Sequence, residues 1–275
     1  MAGNNTIEVK GDLTVDIGED DTGFSGQTAA ILVEGEITIL GTWERTEDRP
    51  EPDIMLVLSR AECMRVQKIV DAKAALNAFL DNCDGSHDKI GLAFYDDTYR
   101  VATPLTHELG EDADSDVPIR RAIKDVDVGA WTSIGGGLSV ALEELSSGRD
   151  RSPEDHPKYI ILATDGKQNT CPAPYIPEAA GGVVGAPMFR EGYGCGEDNR
   201  GYGDLVQSAR DDGITIFTVG IGTDAEIKKS EEEPEQALDF IASQAGGEAY
   251  YAPNSSQLTS LYTQIAELIT ETEIT

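Results

Sequence analysis

Ile54 to Leu58 is an unbroken apolar run between Asp53 and Ser59. A short run of this kind, followed by a polar turn, suits a strand covered on both faces. A helical pattern follows it: Val66, Ile69, Val70, Ala74, Leu76, Phe79 and Leu80 recur at three- and four-residue spacing across 64–82. Strand, turn and helix form the unit from which open parallel sheets are built. In such sheets the ligand crevice lies outside the carboxyl ends of the strands, which places Ser59 to Cys63 at a candidate site.

The same alternation continues downstream. Lys89–Tyr95 predicts a second strand, with Asp96-Asp97-Thr98 turning the chain into Tyr99–Ala102 as an antiparallel edge strand. A short helix is expected within 117–126. Gly135-Gly136-Gly137 opens a helix carrying Leu138, Ala141, Leu142 and Leu145. Further strands are expected at 159–164, 214–219 and 249–252, with helices around Leu205–Arg210, Ala237–Ala245 and Leu258–Ile269. The expected fold is α/β: a doubly wound, mostly parallel, Rossmann-like sheet with helices on both faces. Residues 1–50 differ, since Thr6–Lys10 and Leu13–Ile17 alternate polar and apolar positions and read as a β-rich arm or partial β-sandwich. Such a segment is too small to bury a core alone. Residues 51–275 form the main domain, interrupted by a glycine-rich insertion at 169–203. Loops of that length are usually functional or disordered, and Tyr175, Met188, Phe189, Tyr193 and Tyr202 make it the candidate partner-contacting surface, the alternative being a loop that folds back over its own domain.

Several segments, in order, resemble one family. Pro52–Met64 is similar to the first strand and loop of a von Willebrand factor A (vWA) domain. Lys89–Asp96 is similar to its second strand, Trp131–Leu138 to its threonine loop, Tyr159–Gly166 to its strand ending in Asp-Gly, and Gly213–Gly222 to the next strand. The resemblance runs over about 52–269. It implies a metal-ion-dependent adhesion site built from an Asp-x-Ser-x-Ser loop, a threonine and a further aspartate. Thr132 and Asp165 match the last two. Where the loop needs Asp, Ser and Ser, this chain has Ser59, Ala61 and Cys63. Mg²⁺ and Ca²⁺ take hard oxygen ligands, Ala61 offers none, and Cys63 offers soft sulfur. The expectation is therefore a degenerate site without a cofactor. Thr132 would cap a helix and Asp165 would serve as a turn residue. The alternative is a weak Mg²⁺ or Ca²⁺ site at Ser59, Thr132 and Asp165, with Glu62 as a stand-in ligand.

Charge narrows the partners. With 51 acidic and 21 basic residues, the net charge is −30. Neither nucleic acid nor anionic lipid suits such a surface. Acidic residues dispersed along a folded chain read as adaptation to high salt, where screening removes their repulsion. No apolar run is long enough to insert directly in a membrane, and the first residues lack the pattern of a signal peptide. Cys63 and Cys83 bracket the first helix. At 1.5 Å per residue, the helix separates them by roughly 28 Å, too far to pair, and they read as buried free thiols. Cys171 and Cys195 share the insertion and are the disulfide candidate, with zinc the weaker alternative. The acceptor patterns at Asn4 and Asn254 are too short to weigh heavily.

Catalysis finds little support. His87, His107 and His156 lie in polar segments away from any nucleophile motif, and the glycine run lacks a phosphate-loop lysine. Cys63, at a helix start, is the one thiol worth testing. The reading is a non-enzymatic interaction or structural module in an extracellular, cell-surface or virion assembly of a halophile. Its partners would be proteins, with homo-oligomerisation open. A metal-dependent adhesion protein using Thr132 and Asp165 is the alternative.

Overall fold

The computed structural model describes residues 50–147, 156–165, 205–222 and 234–270. Six strands form one sheet in the order β3-β2-β1-β4-β5-β6. They are β1 (Asp53–Ser59), β2 (Lys89–Tyr95), β3 (Tyr99–Thr106), β4 (Lys158–Thr164), β5 (Ile214–Ile221) and β6 (Ala249–Ala252). Every pairing is parallel except β2 with β3. The antiparallel edge is the expected one, four residues longer than the sequence pattern indicated. The helices are α1 (Gln67–Asp81), α2 (Pro118–Asp125), α3 (Ile134–Leu145), α4 (Leu205–Asp211), α5 (Pro234–Gln244) and α6 (Ser255–Thr270).

The unbroken apolar run of β1 has a direct cause. Ile54, Leu56 and Leu58 point into one core with α1, α2 and α6, while Met55 and Val57 point into a second with α3 and α4. A central strand with both faces covered has no solvent side on which polar residues would recur. The glycines opening α3 serve packing rather than phosphate binding. A Cβ on Gly137 would lie 2.5 Å from the ring of buried Tyr95, and one on Gly136 would lie 2.1 Å from Tyr99. Only glycine lets α3 approach β2 and β3 this closely.

Three details depart from expectation. Val66 and Val70 are 82% and 55% exposed, although the pattern assigned them to the buried face of α1. That face is Ile69, Ala72, Ala75, Leu76, Phe79 and Leu80. The helix begins only at Gln67, after Val66 adopts φ 64° and ψ −109°. Neither Cys63 nor Cys83 is fully buried: both are free thiols, Cys63 exposed and Cys83 half-buried. In the short turn Glu62–Met64 it is Met64 that fills the core. The helix cap belongs to Ser133, whose Oγ accepts the Gly136 N–H at 3.2 Å, and not to Thr132.

The arm at 1–49, the insertion with Cys171, Cys195, Tyr175, Met188, Phe189, Tyr193 and Tyr202, and Asn4 lie outside the described residues. Asn254 is inside them and caps α6, accepting the Gln257 N–H at 3.1 Å on Oδ1.

Candidate functional site

The chain leaves β1 for β2 on one side and reaches β4 on the other, so the strand order reverses between β1 and β4. Neighbouring connections there run to opposite faces and open a crevice at the carboxyl ends. Ser59 ends β1, Asp165 follows β4 directly, and Thr132 lies just before α3. All three are buried or nearly so.

At this crevice the side chain of Asp165 has no exposed surface, and its Oδ2 accepts a hydrogen bond from Lys68 Nζ at 3.1 Å. Lys68 sits in the first turn of α1, and its side chain is 25% exposed. Asp165 Oδ1 is buried with no hydrogen-bond partner among the described residues. Burial raises the Asp165 carboxyl above its ordinary value, against the opposing pull of Cys63 and the Lys68 ammonium. The Cys63 thiol is pushed up to about 12, first by its burial and then by the Asp165 charge, although part of the residue reaches solvent. At neutral pH the thiol form prevails, and a thiol is a weak nucleophile.

The remaining loop positions offer little more. Ser59 Oγ accepts the Ala61 N–H at 3.3 Å, and Ala61 has no donor atom in its side chain. Glu62 is exposed and pairs with Arg65 at 3.1 Å, so it does not stand in for the missing carboxylate. Among the described residues no group of three His, Cys, Asp or Glu side chains could hold a metal ion. Among the described residues, one carboxylate already paired with an ammonium, two hydroxyls and a soft sulfur make a poor donor set for Mg²⁺ or Ca²⁺.

Sequence reasoning missed Lys68. The available signal was a cation in the first turn of a helix, where the macrodipole disfavours positive charge. A nearby anion offsets that penalty, and Asp165 supplies it.

A second network braces the same loops. Arg60 Nη2 pairs with Asp96 Oδ2 at 2.9 Å and donates to Thr98 Oγ1 at 3.1 Å. The Asp96 carbonyl accepts the Ser133 N–H at 2.8 Å, and the Arg60 carbonyl accepts the Gly129 N–H. The β1 loop, the β2–β3 turn and the start of α3 are thus tied together.

Residues 53–264 match the von Willebrand factor type A domain. A UPF0353 protein of Mycolicibacterium vanbaalenii is 26% identical over 234 residues, covering 78% of this chain. The chain spans 60% of that relative's length. The pilus adhesin SpaC of Lactobacillus rhamnosus GG superposes with a TM-score of 0.58 at 17% identity, over 80% of this chain and 30% of that one. Proximal thread matrix protein 1 of the mussel byssus, in a structure whose MIDAS motif is occupied by zinc, gives 0.54 at 19% identity, over 80% and 48%. These structural likenesses speak to fold. With its matched residues running from β1 into α6, the chain belongs to the von Willebrand factor type A domain family.

Proposed function

We propose that this protein is a non-enzymatic protein-interaction module whose crevice works without a divalent cation, because Lys68 supplies the positive charge from the chain itself. The Lys68–Asp165 ion pair carries this reading. The ammonium lies on Asp165, and the loop that would complete a metal site has Ser59, Ala61 and Cys63 in place of stronger ligands. The Cys63 thiol is held in its protonated form, which argues for binding over nucleophilic catalysis. The adhesin among the structural neighbours supports an adhesive or assembly role. Among the described residues no helix is long and apolar enough to cross a membrane.

The setting we propose is a cell-surface or virion assembly of a salt-loving source, on the strength of the −30 net charge. A covalently closed insertion through Cys171 and Cys195 would fit it. The orphaned Asp165 Oδ1 favours the metal-dependent alternative, since an unpartnered buried carboxylate oxygen is a vacant ligand.

Calorimetric titration with Mg²⁺, Ca²⁺ and Mn²⁺ at high salt separates the two readings. The expected result is no saturable heat for the wild type or for Asp165→Ala. Saturable binding that disappears in Asp165→Ala would overturn the proposal and make Thr132 and Asp165 the centre of a working metal site.

A further inference from the structure

A cavity of about 350 Å³ is lined by Arg60, by Phe94 and Arg100 of the β2–β3 edge, and by residues of α2 and its C-terminal end. Its size is within the range of small-ligand sites. Three of its lining residues are arginines: Arg60, Arg100 and Arg121. The chain as a whole has 51 acidic against 21 basic residues, whereas the lining has three arginines against two aspartates, Asp125 and Asp127.

The arginines are not fully engaged. Arg60 spends Nη2 on Asp96 and Thr98. Arg121 spends Nε and Nη2 on Asp116. Arg100 makes no side-chain hydrogen bond or ion pair among the described residues, and it is exposed. A guanidinium has five N–H donors in a planar fork. Those of Arg100 are all unspent, with Nε and Nη1 of Arg60 and Nη1 of Arg121 also left over. The lining also includes Ala122 and the buried Phe94 and Val126. Asp125 and Asp127 also line the cavity and add negative charge of their own.

We infer that this cavity binds a single carboxylate carried on a short aliphatic group, with Arg100 as its principal anchor. A planar guanidinium matches a carboxylate through two parallel hydrogen bonds. The apolar part of the lining accommodates the aliphatic part. Asp125 and Asp127 repel a polyanion and so select against phosphates and sulfated sugars, which the arginines alone would also attract. The carboxylate belongs either to an Asp or Glu side chain of a protein partner or to a free carboxylic acid. The inference is independent of the metal question, because the cavity shares no residue with the Lys68–Asp165 pair.

The test uses the whole protein at high salt, with amide ¹⁵N–¹H shifts of Phe94, Ala122 and Val126 as the reporter. One arm titrates 4-methylpentanoate, the other the blocked peptide acetyl-Gly-Leu-Asp-Gly-amide. Controls are 4-methylpentanamide, the Asn peptide and inorganic phosphate. At least one carboxylate probe should give saturable shifts at these three residues and the neutral controls none. Arg100→Met should weaken that binding roughly tenfold or more, and circular dichroism should show its fold intact, as expected for an exposed, unpaired side chain. Tighter binding of the peptide identifies a protein partner, and tighter binding of the free acid a small-molecule ligand. No saturable shift from either probe, equal binding by the neutral controls or by phosphate, or unchanged binding in a folded Arg100→Met protein would overturn the inference.

Discussion

Asp165 and Lys68 are coupled, and their variants should differ in sign. The Asp165 carboxyl is raised from 3.8, chiefly by burial. The folded chain therefore holds that proton more tightly than the unfolded chain does. Stability falls as pH rises from 3.8 through the folded value, because ionising Asp165 then opposes folding. Lys68→Met leaves a buried carboxylate without its counter-charge and should cost about 2–3 kcal/mol at pH 7, with the loss shrinking on acidification. Asp165→Asn removes the charge that burial penalises, and the partly exposed Lys68 can turn to solvent. It should be neutral or slightly stabilising at pH 7, and combining it with Lys68→Met should recover most of the loss. Urea unfolding of the three variants across pH measures this. A Lys68→Met protein as stable as the wild type at pH 7 would mean the pair contributes nothing. Cys63 offers a separate check. With its thiol held up to about 12, iodoacetamide at pH 7.5 should label it far more slowly than a free cysteine in an unfolded control.

Individual elements differ in how well they resist change. Gly137→Ala should destabilise by roughly 1–3 kcal/mol, because the added methyl meets the buried Tyr95 ring. The helix-propensity gain of about 1 kcal/mol does not offset it. Gly136→Ala should cost less, since Tyr99 is only half-buried on the edge strand and can swing aside. Thermal melts of the two variants should rank them in that order. Arg120 joins α2 to α1 and to the loop after β3. Its buried guanidinium donates to Leu109 O at 2.8 Å, to Asn77 Oδ1 at 3.0 Å and to Asp81 Oδ1 at 2.7 Å. Arg120→Met leaves those acceptors unsatisfied and should cost about 3 kcal/mol or more by urea denaturation. The strands were legible because a central parallel strand needs apolar residues on both faces, as in Ile54–Leu58. The start of α1 was not, because apolarity at Val66 and Val70 says nothing about which way the chain turns out of the β1 loop. The loss of the metal loop was readable in Ser59, Ala61 and Cys63. The Lys68 partner of Asp165 was not, because 97 positions separate the two in the chain. Arg120 was missed for a similar reason: an arginine among charged residues looks exposed until its partners are placed around it.

For the molecule as a whole, net charge of −30 predicts that the fold strengthens with salt. The melting temperature by circular dichroism should climb steadily from dilute buffer to molar KCl. An unchanged melting temperature over that range would remove the high-salt reading of the composition. The Lys68–Asp165 pair has one further consequence at this scale. A bound ion has a free concentration outside the protein, so a metal-dependent crevice is filled or emptied by its surroundings, and the protein's stability follows that supply. An ammonium carried on the polypeptide has no such reservoir. Chelators cannot strip it and added divalent salts cannot saturate it. At a given pH the crevice keeps its charge whatever divalent ions surround it, so control over binding would have to act on the protein rather than on those ions.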